Sequence, residues 1–315
     1  LVHNVFLGVL ILTDNAEIWH LVLLSIVNGS ARASQMPAGQ ALIVNLIPRK
    51  LLLNGIALNQ ATMHGSRLLG PAAIAPLLAT AGSSGAFFLC SGFYAISLIL
   101  TFRIKTASTG QLTPGKGVLG NIGEGIKSVY KIPALRVIVL IAFFHCGLTM
   151  SFESVLPVLA ENRLDAKGAG FSYLMMAVGA GAMISVVLLA GIRDDSKKGK
   201  IFLNLAVLSG LSPFVLAFSS TMPLALIGAA AMGATQAGFM TLTHTFIQSV
   251  TPDAIRGRVG GVYSMHIGGM MASANLINGW VADYINAQTL LAVASAVFVF
   301  IVFLTWWQKT FRQIY

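Results

Sequence analysis

Charged side chains are scarce in this sequence. Asp, Glu, Lys and Arg make up 10% of its 315 residues, against about 25% in soluble domains. Mean hydropathy is +0.80. A soluble chain of this kind would need long helices apolar on every face, which a water-facing surface does not allow. Cysteine is nearly absent: Cys90 and Cys146 each sit inside an apolar run. That excludes a disulfide framework and a thiolate metal spacing, and both read as small core residues. Acidic residues number 10 against 20 basic ones, for a net charge of +10. The basic residues lie in short loops without interleaved aromatics, so a nucleic-acid surface is excluded as well. There is no Ser-His-Asp order in a strand-turn context, no phosphate loop and no metal spacing. The six histidines are scattered. Neither an enzyme nor a cofactor is expected.

What is present is a series of long apolar runs. Their approximate limits are Ile18–Ile47, Leu51–Ala81, Gly85–Phe102, Val137–Ala160, Gly168–Ile192, Ile201–Ser219, Met222–Val250, Val259–Ala282 and Ile285–Trp307. Before them, "LVHNVFLGVLILT" reaches only Thr13 before Asp14, short of the roughly 20 residues a spanning helix needs. With no basic leader and no cleavage site it does not read as a signal peptide; it reads as the tail of a helix. The expectation is an all-α membrane protein with about ten transmembrane helices.

The connections alternate in charge. One set holds Arg49 and Lys50; then Arg103, Lys105, Lys116, Lys127, Lys131 and Arg136; then Arg193, Lys197, Lys198 and Lys200; then Arg256 and Arg258; then Lys309 and Arg312. These are sixteen of the 20 Lys and Arg. The other set holds only Arg163 and Lys167. The basic loops are therefore expected in the cytoplasm of a multi-pass membrane protein. The longest connection contains "TASTGQLTPGKG", a flexible linker, and "IGEGIKSVYKIPALR", which suits an interfacial helix. It divides the chain into an N-terminal half (1–105), a cytoplasmic linker (106–132) and a C-terminal six-helix half (133–315).

The halves are related. "GSARASQMPAGQALIVNLIPRKLLLNGIAL" from Gly29 aligns with "GATQAGFMTLTHTFIQSVTPDAIRGRVGGV" from Gly233: Gly29 meets Gly233, Met36 meets Met240, and Pro48 meets Pro252. Both are long helices running inward to a proline turn. Three helices precede the second copy and only a partial one the first. Equivalence of the halves predicts a 6+6 protein in which two helices and part of a third, about 70 residues, precede the first one here, leaving helices three to six in the N-terminal half.

At this point the sequence resembles the major facilitator superfamily, and within it the bacterial exporter group of enterobactin and macrolide efflux permeases. Four stretches carry the resemblance: "MPAGQALIVNLIPRKLLLNGIALNQ", "RLLGP" (Arg67 to Pro71), "GEGIKSVYKIPALR" and "IQSVTPDAIRGRVGGVYSM". "GIRDDSKKGK", with Asp195, is similar to the superfamily's acidic-basic gating loop. The resemblance implies the two-half fold, a central cavity and alternating access. It also implies partners limited to the bilayer, a small-molecule substrate and protons, in a monomer.

The ionisable residues inside apolar runs are the candidate coupling groups, because an arginine at mid-membrane costs about 2.5–3.5 kcal/mol on the insertion scale. Gln60, His64 and Arg67 share a helical face, and Gly70 and Pro71 follow: a charged, bendable gating helix or an arginine that holds two helices together. His145, Thr149 and Glu153 step by four as a polar stripe, which suits proton handling or a structural ion pair. Asn28, Arg32, Gln35 and Met36 share a face in the helix that the resemblance makes cavity-lining; a substrate or relay role competes with snorkelling of Arg32. Gln236, Phe239, Met240 and Thr243 form a further cavity face or a packing face. Ala230, Ala234 and Gly238, and Gly257 and Gly261, form small-residue rows. His266, Asn275 and Asn278 read as interhelical hydrogen-bond groups, and Arg256 and Arg258 as cytoplasmic anchors that contact the other half's loop. The expected function is proton-coupled efflux of small amphipathic molecules. The alternatives are import or lipid movement on the same fold, or a membrane-embedded enzyme or receptor-like subunit.

Overall fold

Helices fill nearly all of the chain, and short turns join them. In a computed structural model, the described residues are 1–46, 52–105, 118–166, 170–190, 195–252, 255–282 and 284–306. They form eleven α-helices: α1 (Val2–Leu12), α2 (Ile18–Leu46), α3 (Leu52–Phe102), α4 (Val118–Lys131), α5 (Pro133–Leu148), α6 (Leu156–Asn162), α7 (Gly170–Ala190), α8 (Asp195–Ala217), α9 (Met222–Val250), α10 (Arg256–Val281) and α11 (Ala287–Trp306). Among the described residues there is no strand. The Pro48 turn with Arg49 and Lys50, the first part of the expected linker (106–117), Arg193, Asp283, Lys309 and Arg312 lie outside them.

The helices follow the apolar runs closely. Five are long and apolar enough to cross a membrane: Thr80–Phe102, Gly170–Leu189, Gly199–Ala217, Met222–Ile247 and Ala287–Thr305. α2 and α10 have the length, 29 and 26 residues, but polar groups such as Asn28, Arg32, His266 and Asn278 interrupt them.

Two breaks have a local cause. α3 runs through Gly70 and Pro71 and leaves helical geometry at Gly82 (φ 65°, ψ −168°), a conformation nearly reserved for glycine. This falls between the two expected runs, Leu51–Ala81 and Gly85–Phe102. α4 ends where Ile132 turns extended (φ −92°, ψ 111°) and Pro133 opens α5, as the residue before a proline prefers. The part of α4 from Ile122 to Lys131 and α5 meet at 106°.

The chain divides into two units, Leu1–Gln60 with Gly70–Thr113, and Ala61–Leu69 with Pro114–Tyr315. In the first, Gly8 of α1 faces the Phe88 ring of α3 at 3.1 Å from where a Cβ would stand. In the second, α7 and α9 cross at backbone contact. A Cβ added at Gly181 would collide with the Ala230 carbonyl, and one at Gly233 with the Val178 carbonyl. Helices in lipid gain little from the hydrophobic effect, so such close van der Waals seams hold them together. The seam uses Ala230 and Gly238 of the expected row, a Cβ at Gly238 standing 2.6 Å from Ser185 Oγ of α7, and adds Gly233 and Ala237, which packs with Ala182 and Val186. At the second expected row, Cβ atoms at Gly257 and Gly261 would meet nothing within 4 Å among the described residues.

Around this seam, α5, α8, α9 and α11 enclose Val137, Ile141, Phe202, Phe239 and Phe298. α4 docks its apolar side on α5 and α10, with Val129 fully buried among Leu135, Ile138, Val262 and Tyr263. The apolar face expected at a membrane interface is thus taken up by protein.

Candidate functional site

The polar centre of the second unit forms where α5 stops. α5 closes at Leu148, and residues 151–155 are turns before α6. A helix end inside a bilayer leaves carbonyls that need donors. Thr149 Oγ1 donates to the His145 carbonyl at 2.8 Å, and Ser151 Oγ to that of Cys146 at 2.7 Å. Two amides arrive from other helices: Gln236 Nε2 of α9 donates to the Thr149 carbonyl, and Asn278 Nδ2 of α10 to the Ser151 carbonyl, both at 2.7 Å.

This arrangement brings together several residues singled out from the sequence. His145, Thr149, Gln236, Phe239 and Thr243 are all buried. The His145 ring lies between Phe239 (centroids 4.4 Å) and Phe298 (5.1 Å), and its two nitrogens have no hydrogen-bond partner among the described residues. Phe239 stacks on Phe202 at 4.9 Å. Thr243 bonds the Phe239 carbonyl of its own helix, and Met240 is partly buried between two apolar clusters. These α9 side chains pack within the unit rather than open to solvent. Glu153, expected one helical step beyond Thr149, sits half-buried in the turn after α5, off the helical stripe.

In the first unit, Asn28, Arg32 and Gln35 of α2 are exposed. Met36, His64, Arg67, Pro71, Asp195 and Arg256 have side chains outside the described residues. Gly70 has open space around it. Arg258 pairs with Glu124 of α4, Nη1 to Oε2 at 3.2 Å, where the sequence reading expected the other half's loop. Asn275 bonds its own helix at Met271. His266 does bridge helices, as expected. Its Nδ1 lies 2.8 Å from the Val262 carbonyl and its Nε2 3.2 Å from the Tyr130 hydroxyl. A carbonyl only accepts, so Nδ1 carries a proton, and in the neutral ring Nε2 then accepts from the Tyr130 O–H.

His266 also lines an open cavity at the surface of the unit, about 230 Å³, with Phe143, Met265, Gly269, Met270 and Ser273, of which Met265, Gly269 and Ser273 are exposed. None of these is an ionised side chain. Phe143, rings and thioethers dominate the lining, a surface that adapts to varied apolar shapes. Among the described residues, no cluster of His, Cys, Asp or Glu has the makings of a metal site, and Cys90 and Cys146 are unpaired.

The sequence reading passed over Arg163. Its guanidinium donates to the Ser219 carbonyl (2.7 Å), Gln288 Oε1 (2.6 Å) and the Phe218 carbonyl (3.4 Å). It ties the end of α6 to the α8–α9 turn and the start of α11. The signal was there: a lone arginine in "ENRLDAKGAG", in the set of loops otherwise poor in positive charge.

Comparison with known proteins agrees with this architecture. The family model described as transmembrane secretion effector matches residues 1–312. The multidrug efflux pump Tap of Mycolicibacterium fortuitum is 24% identical over 72% of this chain and 57% of its own length. The enterobactin exporter EntS of Shigella boydii is 26% identical over 74% of this chain and 56% of its own. The MFS-type transporter YvqJ of Bacillus subtilis is 22% identical over 90% of this chain and 68% of its own. The chain thus spans little more than half the length of the first two. Among solved structures, the fold matches that of the E. coli fucose:proton symporter FucP (N162A), with a TM-score of 0.62, 14% identity and coverage of 96% of this chain and 80% of that one. By name these are transporters, an efflux pump and an exporter rather than enzymes. The chain belongs to the transmembrane secretion effector family of the major facilitator superfamily.

Proposed function

We propose that the protein exports small amphipathic molecules across a bacterial inner membrane by alternating access, with inward proton flow as the driving reaction. The match to relatives named as a multidrug efflux pump and an enterobactin exporter carries the direction. The α5–α10 cavity supports the substrate class. It offers Phe143, Met265 and Met270 as apolar walls with His266 and Ser273 as the polar side chains, a lining suited to a ring or alkyl portion of a larger molecule. Coupling is assigned to the ionisable residues within the apolar runs: Glu153 as proton carrier, with Arg67, Arg32, His64 and His145 as the relay that senses its charge. Protonation then biases one of two states of the halves. The basic connections face the cytoplasm, and the protein works as a monomer in the bilayer.

Reconstitution of the whole protein in liposomes with ethidium as probe tests this. An imposed pH gradient should drive ethidium against its own gradient, and a protonophore should abolish the movement. Glu153→Gln should leave downhill ethidium movement in place while removing the response to the pH gradient. Ethidium movement indifferent to the pH gradient in the native protein would overturn proton coupling. A gradient-driven flux toward the cytoplasmic side would replace efflux by import.

A further inference from the structure

α4 is attached to one straight face of α10. Arg258, Val262 and His266 lie at i, i+4 and i+8 and so stand one above another on that helix. Each meets α4. Glu124 Oε2 is 3.2 Å from Arg258 Nη1. Gly125 lets the helices touch: a Cβ there would stand 2.8 Å from Val262 Cγ2 and 3.2 Å from the Arg258 carbonyl oxygen. The Tyr130 O–H donates to His266 Nε2 at 3.2 Å. Between these points Val129 is fully buried.

His266 joins this seam to the cavity. One edge of its ring is engaged by Tyr130, and the ring itself is a wall, 6.1 Å from that of Phe143 between centroids. Met265, Gly269, Met270 and Ser273 continue the same wall along α10. α4 also packs on α5 through Val129, against Leu135 and Ile138, so it lies across both helices that flank the cavity.

We propose that α4 is a strap: the connector between the two halves, through Glu124, Gly125 and Tyr130, holds α10 in place and sets the opening of the α5–α10 cavity. The Tyr130–His266 bond is of the size that shifts an equilibrium by up to roughly fivefold, and the partly exposed Glu124–Arg258 pair by about twofold, so the strap is firm while both are made and releasable when they are lost together. Its consequence for transport rests on the proposed function; its geometry does not.

The test uses the full-length protein with Ser273→Cys as reporter in a background of Cys90→Ser and Cys146→Ala. The rate of alkylation by N-ethylmaleimide is read. Ser273 is exposed and lines the cavity. Tyr130→Phe, which keeps the ring and its packing, should raise the rate by up to about fivefold, and Glu124→Gln by about two- to threefold. Lys127→Gln, exposed on the same helix, should change it less than about twofold. The exchange of Glu124→Arg with Arg258→Glu should return the rate toward the native one. Native rates in both Glu124→Gln and Tyr130→Phe, or an equal rise in Lys127→Gln, overturn the strap. Ethidium movement measured on the same preparations separates the two readings. Absence of movement in the native protein counts against efflux and leaves the alkylation result to decide the strap.

Discussion

A peptide carbonyl inside a membrane has no water to turn to, so the side chains that answer it are structural before they are anything else. Gln236 and Asn278 each send an amide to a carbonyl freed where α5 ends, at Thr149 and Ser151. Replacing Asn278 by Ala should lower stability by about 1–3 kcal/mol, the cost of a buried acceptor left without its donor. Asn278→Asp should cost at least as much, because a carboxylate has no proton to donate. Thermal unfolding in detergent, followed by tryptophan fluorescence, reads both; melting unchanged from native in Asn278→Ala would remove the bond from the account. Arg163 makes the complementary case on the other set of loops. Three acceptors fix its planar fork, a geometry that lysine does not reproduce. Arg163→Lys should therefore lower stability by about 1–2 kcal/mol despite keeping the charge, and equal melting of the two proteins would show that charge alone matters there. Both residue types were visible in the sequence, but their partners were not. An amide or guanidinium on a helix reads as polar, and only the fold decides whether a carbonyl or a cavity faces it. Gln236 reads from the sequence as a cavity residue with packing as the rival, and its bond to the Thr149 carbonyl is one that neither reading foresees.

At the scale of elements, hydropathy alone delimits most of the helices, because a bilayer demands about 20 apolar residues and tolerates no open backbone. The breaks inside those runs are harder to read. Gly70 and Pro71 looked like the bend of α3, yet the residue that leaves helical geometry is Gly82. Pro71 removes one donor from the helix, whereas Gly82 takes a backbone conformation that other residues rarely reach. Gly82→Ala should cost about 1–3 kcal/mol. The penalty is one of backbone alone, since a Cβ at Gly82 would meet nothing within 4 Å. Gly70→Ala, helical and equally open, is the matched control and should be neutral or slightly stabilising. Equal melting of the two variants would return the bend to Gly70 and Pro71. The end of α5 escaped the sequence reading for a related reason. "LTMSFESVLP" is apolar enough to continue a helix, and the stop comes from Thr149 and Ser151 folding back on the last turn while amides from α9 and α10 hold the loop open.

For the whole molecule, the distribution of charge makes the sharpest statement. Sixteen of the 20 Lys and Arg fall in alternate connections, and such a bias sets the orientation of a multi-pass chain during insertion. The helices between them come in the order this orientation needs: α8 joins α9 through the Ser219–Ser220 turn, and α9 joins α10 at the Pro252 turn that precedes Arg258. Two single-cysteine reporters in the background of Cys90→Ser and Cys146→Ala test it. Lys105→Cys lies after α3 and Glu161→Cys at the end of α6, and both positions are exposed. In intact cells an impermeant maleimide should label Glu161→Cys and leave Lys105→Cys unlabelled until the membrane is opened. The reverse pattern would invert the protein in the membrane, and with it the direction of the proposed flux. Labelling of both from outside would break the alternation itself, because an even number of crossings would then separate α3 from α6.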